Sequence, residues 1–292
     1  MPLRFAIFGN LYQPRKSASI QTILNCLADH NAEVSIERDF YNFLTNGQQL
    51  PIQGVHIFEN NQFDADFAIS MGGDGTFLRT ASMVGDKQIP ILGVNTGRLG
   101  FLADVNAQEI KTTIADLHGN NYTTETRVAI EVATNGESLQ GYPCALNDVA
   151  ILKRDTASMI ALHVNIDGNY LTTYQADGLV VSTPTGSTAY SLSVGGPIIV
   201  PGTHVMSLTA VAPHSLNVRP LVVSENSLIE IMVESRTHNF LVALDGRSEK
   251  LPEATRLTLK KASYDVKVVK RAGTQYFNTL REKMMWGADV RG

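Results

Sequence analysis

Two cysteines, Cys26 and Cys144, are all that 292 residues contain, and they lie far apart, outside any C-x-x-C pair. That scarcity leaves no disulfide framework and no cysteine-based zinc site, and it fits a reducing, cytoplasmic setting. Charge is also sparse. Asp, Glu, Lys and Arg make up 18% of the chain and the net charge is only −4. No global basic field exists to hold nucleic acid or an anionic membrane, so neither is expected as a partner. A polyanionic ligand would have to be held locally, by backbone amides, a few arginines or a metal. Long apolar runs are missing too, and none approaches the ~18 residues of a membrane span. The opening MPLRFAIFGN reads as a first strand, because polar residues follow at once and no small-residue cleavage site appears.

What is present is enough apolar residue, 43%, to bury real cores in a chain long enough for two domains. Phe5 to Phe8 reads as a buried strand, and Ile20, Ile23, Leu24 and Leu27 recur at helical spacing. Strand patterns return near Val34–Ile36, Phe67–Met71 and Ile89–Val94. This alternation predicts a parallel sheet with helices on its faces, and ligands in such sheets sit beyond the carboxyl ends of strands. From about Arg127 short β-branched runs are punctuated by Asn135-Gly136, Asp167-Gly168 and Asp245-Gly246, which predicts antiparallel hairpins. Phe277, Leu280 and Met284 then mark a last helix. The expected domains are 1–126 with 274–292 packing back on it, and a β-rich 127–273.

Gly72-Gly73-Asp74-Gly75-Thr76 falls between a strand and a helix. Glycines there permit positive φ and let a ligand touch bare backbone, and a helix N-terminus suits phosphate. A carboxylate repels phosphate, so Asp74 makes sense as a general base or a metal partner. A tight turn with Asp74 as helix N-cap stays open as the plainer reading. Neither a Walker A loop nor the full dinucleotide-fold glycine pattern is present.

Asn147-Asp148 interrupts an apolar stretch, where two polar residues are costly if buried unpaired; a strand end or hairpin tip would equally explain them. Asp177 to Tyr190 (DGLVVSTPTGSTAY) leads from a strand into hydroxyl and small residues. Hydroxyls and amides there could line a polar slot, with Tyr190 stacking on a base. His163, His204 and His214 lack metal-ligand spacing and read as structural.

These residues resemble the NAD kinase family. GGDGT at 72–76, Asn95-Thr96-Gly97-Arg98-Leu99-Gly100-Phe101, Asn147-Asp148, the 177–190 segment, Pro213-His214-Ser215-Leu216 and Phe277–Lys283 occur in that family's order. GGDGT alone is shared with diacylglycerol and sphingosine kinases; the STPTGSTAY run is far more specific. The resemblance implies a Rossmann-like α/β N-terminal domain, a β-rich antiparallel C-terminal domain and a final helix returning to the first. It implies transfer of the γ-phosphate of ATP to the adenosine 2′-hydroxyl of NAD, with a divalent metal, Mg²⁺ first, arriving on the donor phosphates, in a homodimer or homotetramer. Asp74 matches the proposed base, with Gly75 beside it. Asn147 and Asp148 match acceptor contacts and Asp177 a nucleotide contact. Thr188, Ala189, Tyr190, Ser191, Leu192 and Ser193 match the adenine and ribose pocket, Ala212 a backbone contact, and Phe101 an aromatic near adenine. Arg79, on the first turns of the helix after GGDGT, could face phosphate or lie on a solvated helix face, and with Arg247 it completes the candidate binding set. Two rival readings are a lipid kinase, which needs an apolar acceptor cleft, and a non-catalytic dinucleotide sensor, which gains nothing from Asp74.

Overall fold

The computed structural model describes residues 2–11, 17–97, 100–136, 138–154, 158–271, 273 and 275–287. Two compact units emerge, Met1–Thr126 with Val266–Gly292, and Arg127–Asp265. The chain re-enters the first unit at Val266, within a strand, rather than at 274 where the sequence pattern turns helical.

The first unit is built on β1 (Arg4–Gly9), α1 (Ser17–Asp29), β2 (Glu33–Glu37), α2 (Arg38–Asn42), β3 (His56–Phe58), β4 (Phe67–Gly72), α3 (Asp74–Val84), β5 (Ile91–Asn95), β6 (Val105–Asn106) and α4 (Ile110–His118). β1, β4 and β5 are buried along nearly their whole length, the pattern of parallel strands covered on both faces. Pairing is parallel throughout, in the order β5-β4-β1-β2-β3. The apolar stripe of α1 puts Ile20, Ile23 and Leu27 into the core with Phe5, Ile7, Ile69 and Leu92. Because β4 and β5 run side by side, Gly72 pairs with Asn95, and the loops leaving both strands emerge at one sheet end.

The second unit continues with β7 (Thr123–Thr134), β8 (Cys144–Ala145), β9 (Asp148–Lys153), β10 (Ile160–Ile166), β11 (Asn169–Ala176), β12 (Gly178–Ser182), α5 (Tyr190–Ser193), β13 (Val205–Val211), β14 (Leu221–Ser224), β15 (Ile229–Glu234), β16 (Asn239–Leu244), β17 (Arg247–Pro252) and β18 (Arg256–Lys270). One antiparallel sheet has the order β14-β13-β12-β9-β16-β17, and a second ladder runs β11-β10-β15-β18. Both feed a single core that includes Ile151, Leu162, Val181, Leu208, Ile231 and Phe240. β18 ends in the first unit, where Val268 pairs parallel with Ile91, and α6 (Tyr276–Met284) follows.

Two of the three expected two-residue turns form. Asp167 and Gly168, and Asp245 and Gly246, all have positive φ, as the tight turn between right-twisted strands requires. Asn135-Gly136 does not make such a turn, because the partner strand of β7 starts only at Cys144; Asn135 instead exchanges bonds with the backbone of Arg256. No helix among the described residues is long and apolar enough to cross a membrane.

Candidate active site

In the first unit, the N-cap of α3 is Gly73, not Asp74. Gly73 has φ −103°, and neither Gly72 nor Gly75 has positive φ, so these glycines are not required for unusual backbone angles. Their use is spatial. A Cβ at Gly73 or Gly75 would meet nothing within 4 Å, which leaves bare backbone facing open space at a helix start. A cleft of about 530 Å³ opens there, lined by Gly9, Asn10, Asp39, Gly73, Gly75 and Arg79 among others. Arg79 stands in that wall, but its guanidinium is already paired with buried Glu37.

Asp74 turns its carboxylate away from its own helix. Oδ2 accepts from the amide of Phe101 at 3.0 Å, and Oδ1 accepts from those of Leu102 at 3.0 Å and Ala103 at 3.1 Å. The Lys283 ammonium, from α6, donates to Oδ2 at 3.0 Å. Burial alone would raise this carboxyl; the Ala103 amide, the Lys283 charge and the Phe101 and Leu102 amides outweigh it and hold it below the ordinary carboxylate range. Gly100 is obligatory beside it, since a Cβ there would lie 2.0 Å from Asp74 Oδ1. Asp104, which follows Ala103, is pinned by an ion pair with Lys270, both side chains buried. Phe101 is half-buried, with Lys283 Nζ 4.5 Å above its ring and the Tyr276 ring 6.1 Å away. Arg98 and Leu99 lie outside the described residues.

In the second unit, the Asn147-Asp148 pair is shaped by a residue that the sequence marked only as a turn. The Asp245 carboxylate accepts from the amides of Leu146 and Asn147, each at 2.8 Å, and of Asp148 at 3.3 Å. Asp148 is therefore buried beside a second carboxylate. Its pKa is pushed up to about 7, by burial first and the Asp245 charge second, with the Tyr190 backbone amide pulling the other way. Asn147 Oδ1 is buried and has no hydrogen-bond partner, a cost that a ligand donor would relieve.

The hydroxyl run does not line a slot along its length. Ser182, Thr183 and Ser187 are buried and turned inward. Thr183 Oγ1 donates to the Leu146 carbonyl at 2.6 Å, its amide donates to the Asn147 carbonyl at 2.9 Å, and Ser187 ties Pro184 to Ile199. Gly186 packs so tightly that a Cβ would lie 2.0 Å from the Asn147 oxygen. The segment thus fixes the backbone of Asn147-Asp148 from one side while Asp245 fixes it from the other. What remains accessible is the tail: half-buried Thr188, Ala189 and Leu192, and exposed Tyr190 and Ser193, whereas Ser191 is buried beside Thr209.

Other candidates sit differently. Asp177 is ion-paired with Lys153 at 2.7 Å. Ala212 is exposed and adopts φ 44°, a strained conformation for a residue with a Cβ. Arg247 spends its guanidinium on the carbonyls of Tyr142 (2.9 Å), Cys144 (2.7 Å) and Leu244 (3.1 Å), so it braces the strand ends around Asp245.

Family models for the ATP-NAD kinase N-terminal and C-terminal domains match residues 10–122 and 146–271. The chain belongs to the ATP-NAD kinase family. An NAD kinase of Bacteroides fragilis is 55% identical over 289 residues, covering 99% of this chain and 100% of that protein. One from Porphyromonas gingivalis is 45% identical over 288 residues, covering 99% of both chains. Among solved structures, a yeast NADH kinase complexed with NADH superposes with a TM-score of 0.89 at 24% identity, over 99% of this chain and 89% of that one. An Archaeoglobus fulgidus NAD kinase in complex with ATP gives 0.73 at 25% identity, over 97% and 99%. The family frame and the motif order agree along the chain.

Proposed function

We propose that the chain is an NAD kinase that phosphorylates the adenosine 2′-hydroxyl of NAD with ATP, giving NADP and ADP. The observation that carries this reading is the pairing, in one unit, of bare glycine backbone at a helix start with a carboxylate held ionised by three amides. Bare amides and the helix dipole serve phosphates. The ionised carboxylate serves the attacking hydroxyl.

The cleft beside Gly73 and Gly75 receives phosphate groups on its bare amides, while Arg79 stands in its wall with its charge shared with Glu37. Asp74 accepts the hydroxyl proton as the new O–P bond forms and the γ-phosphate separates from ADP. Little covalent help is needed, because phosphoryl transfer depends mainly on positioning and charge compensation. Acceptor recognition falls to the second unit, through the unpartnered Asn147 Oδ1, Asp148 and the exposed face of Tyr190. Asp177, Thr188, Ala189, Ser193 and the strained Ala212 complete the nucleotide contacts in this reading.

Among the described residues, no three His, Cys, Asp or Glu side chains are grouped to hold a metal. No resident ion is assigned among them. The ion is proposed to enter as Mg²⁺ on ATP, the substrate form. A cytoplasmic homo-oligomer is the proposed working state. A lipid kinase is disfavoured by the polar groups around Asn147, and a silent sensor by Asp74.

The test is direct. The purified chain, ATP, Mg²⁺ and NAD are mixed and the product is read by an NADP-specific dehydrogenase. NADP formation that stops when Mg²⁺ is chelated supports the reading; its absence with intact, folded protein overturns it.

A further inference from the structure

α6 brings the far end of the chain to Asp74. Lys283 makes two contacts with one ammonium group: 3.0 Å to Asp74 Oδ2 and 4.5 Å to the Phe101 ring centre. Phe101 donates its own amide to the same Oδ2. One cation therefore ties together the Asp74 carboxylate and the Phe101 ring.

The partners of Asp74 are unequal. Three are backbone amides, from a loop anchored by the buried Asp104–Lys270 pair. The fourth is a flexible side chain, 31% exposed. Other described cations of these elements are engaged elsewhere: Arg79 with Glu37, Lys270 with Asp104, and Arg281 with the side-chain oxygen of Asn278. Among the described residues, Lys283 is the charged group that acts on Asp74.

Resting on the kinase reading, we propose that Lys283 is a positioning residue for the transfer step, holding Asp74 ionised and Phe101 seated beside it. The amides fix where the carboxylate points and share in holding it ionised. Lys283 supplies the countercharge that burial would otherwise deny it, and as the one mobile partner it can yield its place on Oδ2 to the incoming hydroxyl. Its stem and charge over Phe101 couple the same event to the ring.

Two variants separate this role from simple anchoring of the helix. Lys283→Met keeps an unbranched apolar stem and removes the charge; Lys283→Arg keeps the charge. In the ligand-free protein, ¹³C NMR of the Asp74 carboxyl, assigned through Asp74→Asn, should show its titration midpoint rising by about one pH unit in Lys283→Met. Lys283→Arg should stay near the parent. In the coupled assay, the acid limb of kcat/KM of Lys283→Met should move to higher pH, so that its loss against the parent is largest on the acid side. Lys283→Arg should recover most of the loss. An unmoved Asp74 titration, or a loss of activity equal in both variants with an unchanged acid limb, overturns the proposal. A parent that makes no NADP defeats the kinase reading instead, and the NMR arm still decides whether Lys283 governs Asp74.

Discussion

Lys283 Nζ lies 3.0 Å from Asp74 Oδ2, although 209 positions separate the two in sequence. With the amides of Phe101, Leu102 and Ala103, this leaves both carboxylate oxygens engaged before any ligand arrives. Asp74 is thus a prearranged acceptor in a donor-rich nest, which favours orienting a hydroxyl over stripping its proton early in the reaction.

Asp74→Asn should therefore do more than remove a proton acceptor. Its amide nitrogen must face either backbone donors or the Lys283 ammonium. Turnover should fall by roughly 10²–10⁴, and stability by about 1–3 kcal/mol as donors lose their acceptor. Steady-state kinetics and thermal unfolding check both. Turnover within a few-fold of the parent would remove Asp74 from the chemistry.

Gly100 and Gly75 make a contrasting pair. A Cβ at Gly100 would meet the Asp74 carboxylate, whereas at Gly75 it would meet only open space. Gly100→Ala should cost about 1–3 kcal/mol through overpacking and depress turnover. Gly75→Ala should leave stability within about 0.5 kcal/mol yet raise KM, because the methyl occupies space meant for ligand. Equal stability losses in both would contradict the description of the loop.

Asp148 carries a pH signature. Its pKa near 7, against an ordinary value of 3.8, means that the folded chain holds a proton which the unfolded chain has released between about pH 4 and pH 7. Stability from this group therefore falls as pH rises through that window. Asp148→Asn should be neutral in effect near pH 4 and stabilising by about 1–3 kcal/mol at pH 8, since each pH unit separating the folded and unfolded midpoints is worth about 1.36 kcal/mol at most. Melting temperatures of the parent and variant across that range test it. A variant destabilised equally at every pH would show that the carboxyl is not strained by its burial beside Asp245.

Tyr190 has an exposed ring and a backbone amide turned to Asp148. Tyr190→Ala should weaken NAD binding by about 1–3 kcal/mol, the range for base–aromatic stacking, and Tyr190→Phe by much less. Isothermal titration compares them, and equal losses would shift the role from ring to hydroxyl.

Much of this was legible in the sequence where local pattern decides the outcome. The β4-to-α3 turn followed from an apolar run ending in glycines, and the Asp167-Gly168 and Asp245-Gly246 turns followed from residues that tolerate positive φ. What depends on distant pairing was not. Glu37 neutralising Arg79, Lys283 reaching Asp74 and Lys153 pairing with Asp177 leave no local signal. The Ser182–Ser187 hydroxyls looked like pocket lining because composition does not reveal that they face inward to hold Asn147. Asp245 was visible as a turn residue, but its second task, accepting three amides, depends on where the turn lands.

The most direct test of the central claim is phosphorus NMR of the product formed from NAD, ATP and Mg²⁺ by the purified chain. The expected product carries a single new phosphomonoester on the 2′-oxygen of the adenosine ribose. A 3′-phosphate, or phosphate on the nicotinamide ribose, would contradict it and would require the roles given to Asp74, Asn147 and Asp148 to be withdrawn.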